Sequence, residues 1–199
     1  MNPEQFPTYK NLFPVLRNRT TKRTEMVILV DERDQTIGEM EKIQAHQDGL
    51  LHRAFSIFIF NRKKQLLLQK RSLLKYHSGG LWSNTCCGHP LPSEDLEEAL
   101  HRRLTQEMGF DSNLKKLFSF LYHARLRNNL IEYEIDHVFG GVVNDVHIQL
   151  NQDEVSEFKW CSIDYLENDM HRNPDNYTIW FLHAMRYLMK NGKNMIKHF

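Results

Sequence analysis

The most informative part of the chain reads GGLWSNTCCGHP over residues 79–90 and runs directly into a segment with helical periodicity. Two of the three cysteines, Cys86 and Cys87, stand side by side here, next to Gly88 and His89. A glycine lets the backbone approach a ligand closely or adopt a positive φ. A thiol, an imidazole and a helix start therefore lie close together, which is typical of a functional site and not of a core strand.

The segment that follows is predicted to be a helix that ends near residues 107–109. Apolar side chains recur every four residues, at Leu96, Leu100, Leu104 and Met108. Such spacing places them on one helix face. Ser93 is predicted to be the N-cap, residues 94–95 suit the positive end of the helix dipole, and Gly109 suits the C′ position.

The remaining periodicity predicts several strands and one more helix. Strands are predicted over residues 26–30, 36–43, 52–60, 66–71, 114–126, 130–143 and 155–161. The second helix is predicted over residues 177–190 and is expected to stop near Gly192. Many strands with few helices predict an α+β fold in which helices pack on a mixed β-sheet.

Length and composition restrict the class of protein. The 199 residues suit one domain, predicted over residues 25–199, preceded by an extension over residues 1–24 that lacks the apolar core of a signal peptide. Three cysteines cannot form a secreted disulfide framework, so we expect a cytoplasmic protein. No apolar run is long enough to span a membrane, and 26 basic against 25 acidic residues predict no nucleic-acid partner.

Histidines and glutamates on both sides of this stretch form a candidate metal site. Glu132 and Glu134 alternate in a predicted strand, so their carboxylates share one face. Together with His46, His52 and His89 they offer ligands that suit Zn²⁺, Mn²⁺ or Mg²⁺. Two alternatives remain open on spacing alone: eleven histidines make a chance triple common, and alternating glutamates also occur on solvated strand faces.

Two further features suggest chemistry. Cys87 could act as a nucleophile or as an acid or base, although a buried inert cysteine is the alternative. Arg103 and Glu107 are four residues apart on the predicted helix and therefore share a face. Such a pair could meet a metal-bound diphosphate, and an ordinary surface ion pair is the alternative.

The spacing over residues 88–110 resembles the Nudix box, in which glycine, glutamate and an Arg-Glu-x-x-Glu-Glu cluster hold magnesium for hydrolysis of nucleoside diphosphate derivatives. Arg103 stands where the first glutamate of that cluster belongs, and Gln106 stands where the next one belongs. Only Glu107 remains. Hydrolysis is therefore expected to be crippled, whereas one Mg²⁺ could still bridge a diphosphate to Glu107.

Five segments together resemble the type 1 isopentenyl-diphosphate isomerases of the Nudix superfamily: residues 42–46, 51–56, 84–90, 132–134 and 176–180. The resemblance covers roughly residues 25–190 and implies a Nudix-like fold. It also implies conversion of isopentenyl diphosphate to dimethylallyl diphosphate, in isoprenoid biosynthesis, through a carbocation. The implied partners are these small molecules alone, with no membrane, and the chain is expected to be a monomer or homodimer.

The resemblance also implies roles for individual residues. Cys87 and Glu134 become the catalytic pair on opposite faces of the substrate, with Tyr122 as a helper. One metal ion, Mn²⁺, Zn²⁺ or Mg²⁺, is expected to be held by His46, His52, His89, Glu132 and Glu134. A second ion, Mg²⁺ bound with the diphosphate, is expected at Glu107 and the backbone carbonyl of Cys87.

The substrate-binding residues implied in the same way are Lys42, Arg71, Lys75, Arg103 and Trp180. The four cations are expected to bind the diphosphate, and Trp180 is expected to close over the hydrocarbon end. Two other classes of protein stay as alternatives: a Nudix hydrolase of a nucleoside diphosphate derivative, and a non-catalytic, zinc-stabilised binding module. Which of Cys87 and Glu134 protonates the substrate is left open by the sequence.

Overall fold

The computed structural model describes residues 25–126 and 128–191, so the predicted extension over residues 1–24 and the predicted helix stop at Gly192 lie outside the described residues. The strands are β1 (Met26–Val30), β2 (Thr36–Glu41), β3 (His52–Asn61), β4 (Gln65–Arg71), β5 (Trp82–Ser83), β6 (Cys86–Gly88), β7 (Lys115–Arg125), β8 (Ile131–Val143) and β9 (Val155–Ser162). The helices are α1 (Lys42–Asp48), α2 (Leu96–Met108), α3 (Ile163–Arg172) and α4 (Ile179–Asn191), and a short 3₁₀ turn (Pro174–Asn176) precedes α4.

Strand β3 is the centre of a mixed sheet, as the α+β prediction requires. β8 runs parallel to β3 along its whole length, from the pair His52 and Glu134 to the pair Asn61 and Val143. The opposite edge of β3 is shared by three antiparallel neighbours: β1 at its start, β6 in its middle and β4 at its end. β7 extends the sheet beyond β8, and β9 extends it beyond β4.

Helices cover both faces of this sheet, which explains why β3 is apolar almost without interruption. Phe55, Ile57 and Ile59 pack with α2 in one buried cluster. Phe58 and Phe60 point to the opposite face, where they pack with α3 and α4 in a second cluster. The predicted mixed sheet with helices packed on it is therefore confirmed.

The start of α2 differs from the prediction. Asp95, and not Ser93, is the N-cap, and its side chain accepts a hydrogen bond from the backbone N–H of Glu97. Ser93 instead adopts a left-handed conformation with φ of 67° in the preceding turn. The predicted helix end is correct, because Gly109 adopts the left-handed conformation that terminates α2.

The predicted strand over residues 36–43 is wrong at its end. β2 stops at Glu41, whose carboxylate caps a short helix by accepting a hydrogen bond from the backbone N–H of Gln44. Gly49, in the left-handed conformation, terminates this helix, α1. Lys42 and His46 consequently lie on a helix. In the part of the chain that the structure describes, no helix has the length and apolarity needed to cross a membrane.

Candidate active site and metal centre

The described residues enclose a cavity of about 680 Å³ beside β6, β8 and α1, which is within the usual range for small-molecule sites. Its lining includes most of the predicted site residues: Lys42, His46, Arg71, Lys75, Cys87, His89, Arg103, Glu132, Glu134 and Trp180. The other three, His52, Tyr122 and Glu107, contact residues that line the cavity. The predicted residues therefore meet at one place.

Four of the predicted metal ligands form one compact group. His46, His52, His89 and Glu134 each offer a ligand atom, and these atoms lie within 4.8 Å of one another. Oε1 of Glu134 lies 3.3 Å from Nε2 of His52 and 2.9 Å from Nε2 of His89. The parallel register of β3 and β8, which pairs His52 with Glu134, brings these two side chains together.

Glu132, the fifth predicted ligand, belongs to a second group with His46 and His77, again within 4.8 Å. The two groups share His46. His77 was not predicted as a ligand, because it lies in an irregular loop without periodicity. In the sequence, His77 stands two residues before Gly79, where the stretch over residues 79–90 begins, and this position is the feature that could have drawn attention to it.

Backbone carbonyls orient two of the histidines. Nδ1 of His46 lies 2.7 Å from the carbonyl of Lys42, and Nδ1 of His52 lies 2.8 Å from the carbonyl of Leu50. With Nδ1–H donating to these carbonyls, Nε2 of each ring presents its lone pair to the cluster, which is the usual arrangement of metal-binding histidines.

Unpartnered polar atoms also fit a divalent ion. Among the described residues, Nε2 of His52 and Oε1 of Glu132 are buried without a hydrogen-bond partner. Burying such atoms unpaired is costly. Because the donors are imidazole nitrogens and carboxylate oxygens, the cluster is a candidate site for a divalent metal ion.

The two glutamates of β8 have opposite electrostatic environments. Burial would raise the pKa of Glu134, but the adjacent rings of His52 and His89 hold that pKa well below its usual range. Burial and the neighbouring Glu134 raise the pKa of Glu132 to about 7. Tyr122 contacts both carboxylates, at 2.5 Å from Glu134 and 3.5 Å from Glu132. Glu134 is therefore the ionised carboxylate at neutral pH.

The two adjacent cysteines of β6 lie in different environments. Cys86 is fully buried in the cluster under α2, whereas Cys87 lines the cavity. Burial raises the pKa of Cys87 to about 12, although the nearby Arg71 lowers it. The Cys87 thiol is therefore protonated at neutral pH.

The four predicted cations lie at the same side of the cavity, together with an acidic residue that the sequence analysis missed. Glu154 precedes β9 and accepts hydrogen bonds from Nζ of Lys75 at 2.7 Å and from Nη2 of Arg103 at 3.3 Å. Burial and the charges of Lys75 and Arg103 lower the pKa of Lys42 to about 7. Positive charge is therefore concentrated here, and Glu154 balances part of it. Glu154 gave no signal, because it lies in a polar turn far from its partners in sequence.

Glu107 lies apart from both groups of candidate ligand atoms. It is buried, forms an ion pair with Arg103, and accepts a hydrogen bond from Nε2 of Gln69 at 2.9 Å. In the structure, its charge is thus balanced by a cation of the same helix. The role of Glu107 in binding Mg²⁺ stays a prediction.

Trp180 lies in the first turn of α4 with its ring at the cavity wall. Its indole N–H donates a hydrogen bond to the hydroxyl of Ser83 at 2.9 Å. The guanidinium of Arg71 lies 5.0 Å from the ring centre, and the ring of His77 meets it edge to face. These contacts fix the indole between the cationic side of the cavity and the histidines.

The sheet, the flanking helices and the sequence together define the class of protein. Residues 50–181 match the NUDIX domain family. The solved structure of DR0079 from Deinococcus radiodurans covers 82% of this chain and 98% of its own, with a TM-score of 0.68 at 19% identity. The solved structure of the MutT protein from Methanosarcina mazei covers 72% of this chain and 96% of its own, with a TM-score of 0.59 at 21% identity. These likenesses support the fold alone.

Sequence similarity to curated proteins identifies a narrower family within this class. The chain is 57% identical to Isopentenyl-diphosphate Delta-isomerase 2 of Photorhabdus laumondii over 157 residues, which cover 79% of this chain and 88% of the relative. It is 52% identical to Isopentenyl-diphosphate Delta-isomerase of Pectobacterium atrosepticum over 155 residues, which cover 78% of this chain and 86% of that relative. The chain therefore belongs to the isopentenyl-diphosphate Delta-isomerases of the NUDIX domain family.

Proposed function

We propose that this chain interconverts isopentenyl diphosphate and dimethylallyl diphosphate. The observation that carries the proposal is that a protonated thiol, Cys87, and an ionised carboxylate, Glu134, line one cavity beside four basic side chains. Moving a carbon–carbon double bond requires one group that donates a proton and another that accepts one. Both forms are available here at neutral pH.

The proposed reaction adds a proton to the terminal methylene carbon of isopentenyl diphosphate, which leaves a tertiary carbocation. Removal of a proton from the carbon two bonds away then forms the new double bond. With the thiol protonated and the carboxylate ionised at the start, Cys87 gives the first proton and Glu134 takes the second. After one turnover their protonation states are exchanged, so a proton must return between them before the next turnover. The hydroxyl of Tyr122 donates a hydrogen bond to Glu134 at 2.5 Å, at the carboxylate end of such a path.

The remaining lining residues are assigned to binding. Lys42, Arg71, Lys75 and Arg103 bind the diphosphate. The Trp180 ring faces the hydrocarbon end, where a cation–π contact contributes only about 0.5–2 kcal/mol. Enzymatic rate gains of about 10⁶ and more require roughly 8 kcal/mol. Positioning of the acid and base therefore supplies most of the rate gain, and exclusion of water protects the carbocation.

We assign the metal ions to two places. His46, His52, His89, Glu132 and Glu134 would hold Mn²⁺, Zn²⁺ or Mg²⁺, and Glu107 with the carbonyl of Cys87 would hold a diphosphate-bound Mg²⁺. When bound, these ions supply positive charge that keeps Glu134 ionised and offsets the charge of the diphosphate. The unpartnered Nε2 of His52 and Oε1 of Glu132 support the first assignment.

Hydrolysis of a nucleoside diphosphate derivative is less well supported. Arg103 and Gln106 replace two carboxylates of the Nudix box, and Arg103 also pairs with the remaining one, Glu107. A non-catalytic zinc-stabilised module would not require a polar cavity next to the cluster. Neither alternative explains why a thiol and a carboxylate share a cavity with four basic side chains.

We further propose that residues 25–199 form the catalytic domain, as a monomer or homodimer, with residues 1–24 as an extension. Three free cysteines support a reducing compartment such as the cytoplasm. The balanced charge supports a small-molecule substrate and no nucleic-acid partner.

The test is proton NMR of the purified protein with isopentenyl diphosphate and Mg²⁺ in D₂O. We expect dimethylallyl signals with deuterium incorporation, both abolished by EDTA and by Cys87→Ala. Cys161→Ala is the matched control, because Cys161 is a free cysteine of β9 that does not line the cavity. Phosphate release would favour the hydrolase, and an unchanged spectrum would favour the binding module.

A further inference from the structure

His77 is held in a defined orientation at the edge of the cluster of candidate metal ligands. It lies in the loop between β4 and β5 and is only 8% exposed. Its ring meets Tyr76 edge to face at 4.2 Å and Trp180 edge to face at 5.7 Å. Nδ1 lies 3.2 Å from the hydroxyl oxygen of Ser78. With Nδ1–H donating to that oxygen, Nε2 carries the lone pair.

Nε2 of His77 faces an unpartnered carboxylate oxygen. It lies 3.5 Å from Oε1 of Glu132, which is buried and has no hydrogen-bond partner among the described residues. Two acceptors that face each other in a buried place are unfavourable unless a cation or a proton lies between them. The ligand atoms of His46, His77 and Glu132 also lie within 4.8 Å of one another.

The two groups of candidate ligands cannot each use His46 for an ion of their own. Nδ1 of His46 is engaged by the carbonyl of Lys42 at 2.7 Å, so a single nitrogen, Nε2, remains for binding. One imidazole nitrogen binds one ion. When both groups bind metal they therefore bind the same ion, and His77 joins this ion together with Glu132.

We propose that His77 is a sixth protein ligand of the histidine-rich metal centre, together with His46, His52, His89, Glu132 and Glu134. Six protein ligands fill an octahedral ion such as Mn²⁺ or Mg²⁺ and leave no position for water. A centre closed in this way would position Glu134. It would not generate a metal-bound nucleophile, because metal sites that activate water keep an open coordination position. This inference rests on the metal centre of the proposed function and not on the isomerisation itself.

The test uses the full chain without substrate, after its metal has been removed by dialysis against EDTA. Mn²⁺ is titrated in, free Mn²⁺ is measured by electron paramagnetic resonance, and the water-proton relaxation rate reports water bound to the ion. We compare the natural protein with His77→Gln. The control is His101→Gln. His101 lies on α2 and does not line the cavity, and its Nδ1 lies 2.6 Å from Oδ1 of Asp111.

We expect His77→Gln to raise the Kd for Mn²⁺ by about 10- to 100-fold, the loss seen when groups that support a metal site are removed. Water should replace the lost ligand, so the relaxation rate per bound ion should rise. His101→Gln should change neither quantity. An unchanged Kd for His77→Gln would overturn the proposal.

Two further measurements guard against a folding defect in the variant. Circular dichroism reports whether His77→Gln is folded, and imidazole added to His77→Ala should restore Mn²⁺ affinity. The natural protein gives an independent result: its bound Mn²⁺ should show the low relaxation rate of an ion without bound water, and a high rate would overturn the proposal. Because no substrate is present, failure of the isomerase assay would leave these results unaffected.

Discussion

The hydroxyl of Tyr122 donates a hydrogen bond to Oε2 of Glu134 over 2.5 Å, between directly opposed residues of β7 and β8. Burial and the charges of Glu132 and Glu134 raise the pKa of Tyr122, so the hydroxyl keeps its proton. The antiparallel register therefore gives Glu134 a fixed donor on one side, while His52 and His89 approach from another.

Tyr122→Phe should lower kcat by about 10- to 100-fold and leave KM unchanged. The variant removes one hydrogen bond to a charged group, worth about 1.5–3 kcal/mol, without altering the diphosphate cations. The measurement is the rate of isomerisation as a function of substrate concentration. Tyr133→Phe is the control, because Tyr133 neighbours Glu134 in β8 but contacts His123 instead. Equal kcat values for the two variants would contradict the proposed role.

Cys87 should react slowly with iodoacetamide at neutral pH. Burial raises its pKa to about 12, and only the thiolate reacts. The alkylation rate should therefore keep rising about tenfold per pH unit well beyond the ordinary thiol pKa of about 8.5. Mass spectrometry of the modified peptide, with Cys87→Ser to assign the site, measures this rate. A plateau near the ordinary pKa would show that the thiol is ionised more readily than its burial indicates.

Glu154→Gln should destabilise the protein at neutral pH and much less in acid. Burial opposes ionisation of Glu154, but Arg103 and Lys75 lower its pKa from 4.5 to about 2. A lowered carboxyl pKa stabilises the folded state above the unfolded pKa, and this stabilisation is lost as the pH falls towards the folded pKa. The difference in free energy of unfolding should reach at most about 3 kcal/mol above pH 5 and shrink towards pH 2.

Urea unfolding of the two proteins at several pH values measures this difference. Glu157→Gln is the matched control, since Glu157 pairs with Lys70 on the exposed side of β9 and such pairs contribute about 1 kcal/mol or less. A difference for Glu154→Gln that is independent of pH would refute the electrostatic explanation.

Ser83→Ala should cost about 1–3 kcal/mol in free energy of unfolding, because the buried indole N–H of Trp180 loses its acceptor. Since the ring then loses its fixed orientation at the cavity wall, kcat should also fall. Urea unfolding and the isomerase assay measure the two effects. Ser119→Ala is the control, because Ser119 is exposed on β7. Stability equal to that of the control would show that the hydrogen bond has no structural role.

Long periodic segments made most of the fold predictable from sequence. The apolar run of β3 predicts a central strand because both its faces are covered, and α2 shows a regular four-residue spacing. Helix α1 was missed because seven residues hold less than two full periods, and its start depends on a side-chain cap from Glu41. Ser93 and Asp95 are both good caps, and only the backbone conformation distinguishes them.

The grouping of the candidate residues at one cavity was predictable where they fall in a recognisable pattern. His52, His89 and Glu134 lie in such segments, whereas His77 and Glu154 lie in irregular loops. Each contacts a partner distant in the chain: His77 meets Glu132, and Glu154 meets Lys75. Contacts of this kind depend on the assembled sheet, and one sequence carries no local signal for them.

The parallel pairing of β3 with β8 has a consequence for how the protein folds as it is synthesised. His52 and Glu134 become neighbours only after the long intervening chain has closed, and such non-local pairing is slow because chain entropy is lost before contacts form. A nascent chain that ends before Ile131 lacks both glutamates of the centre. On the proposed assignment, a metal ion would therefore be bound only after the sheet has closed, so that it would bind only chains whose folding is complete.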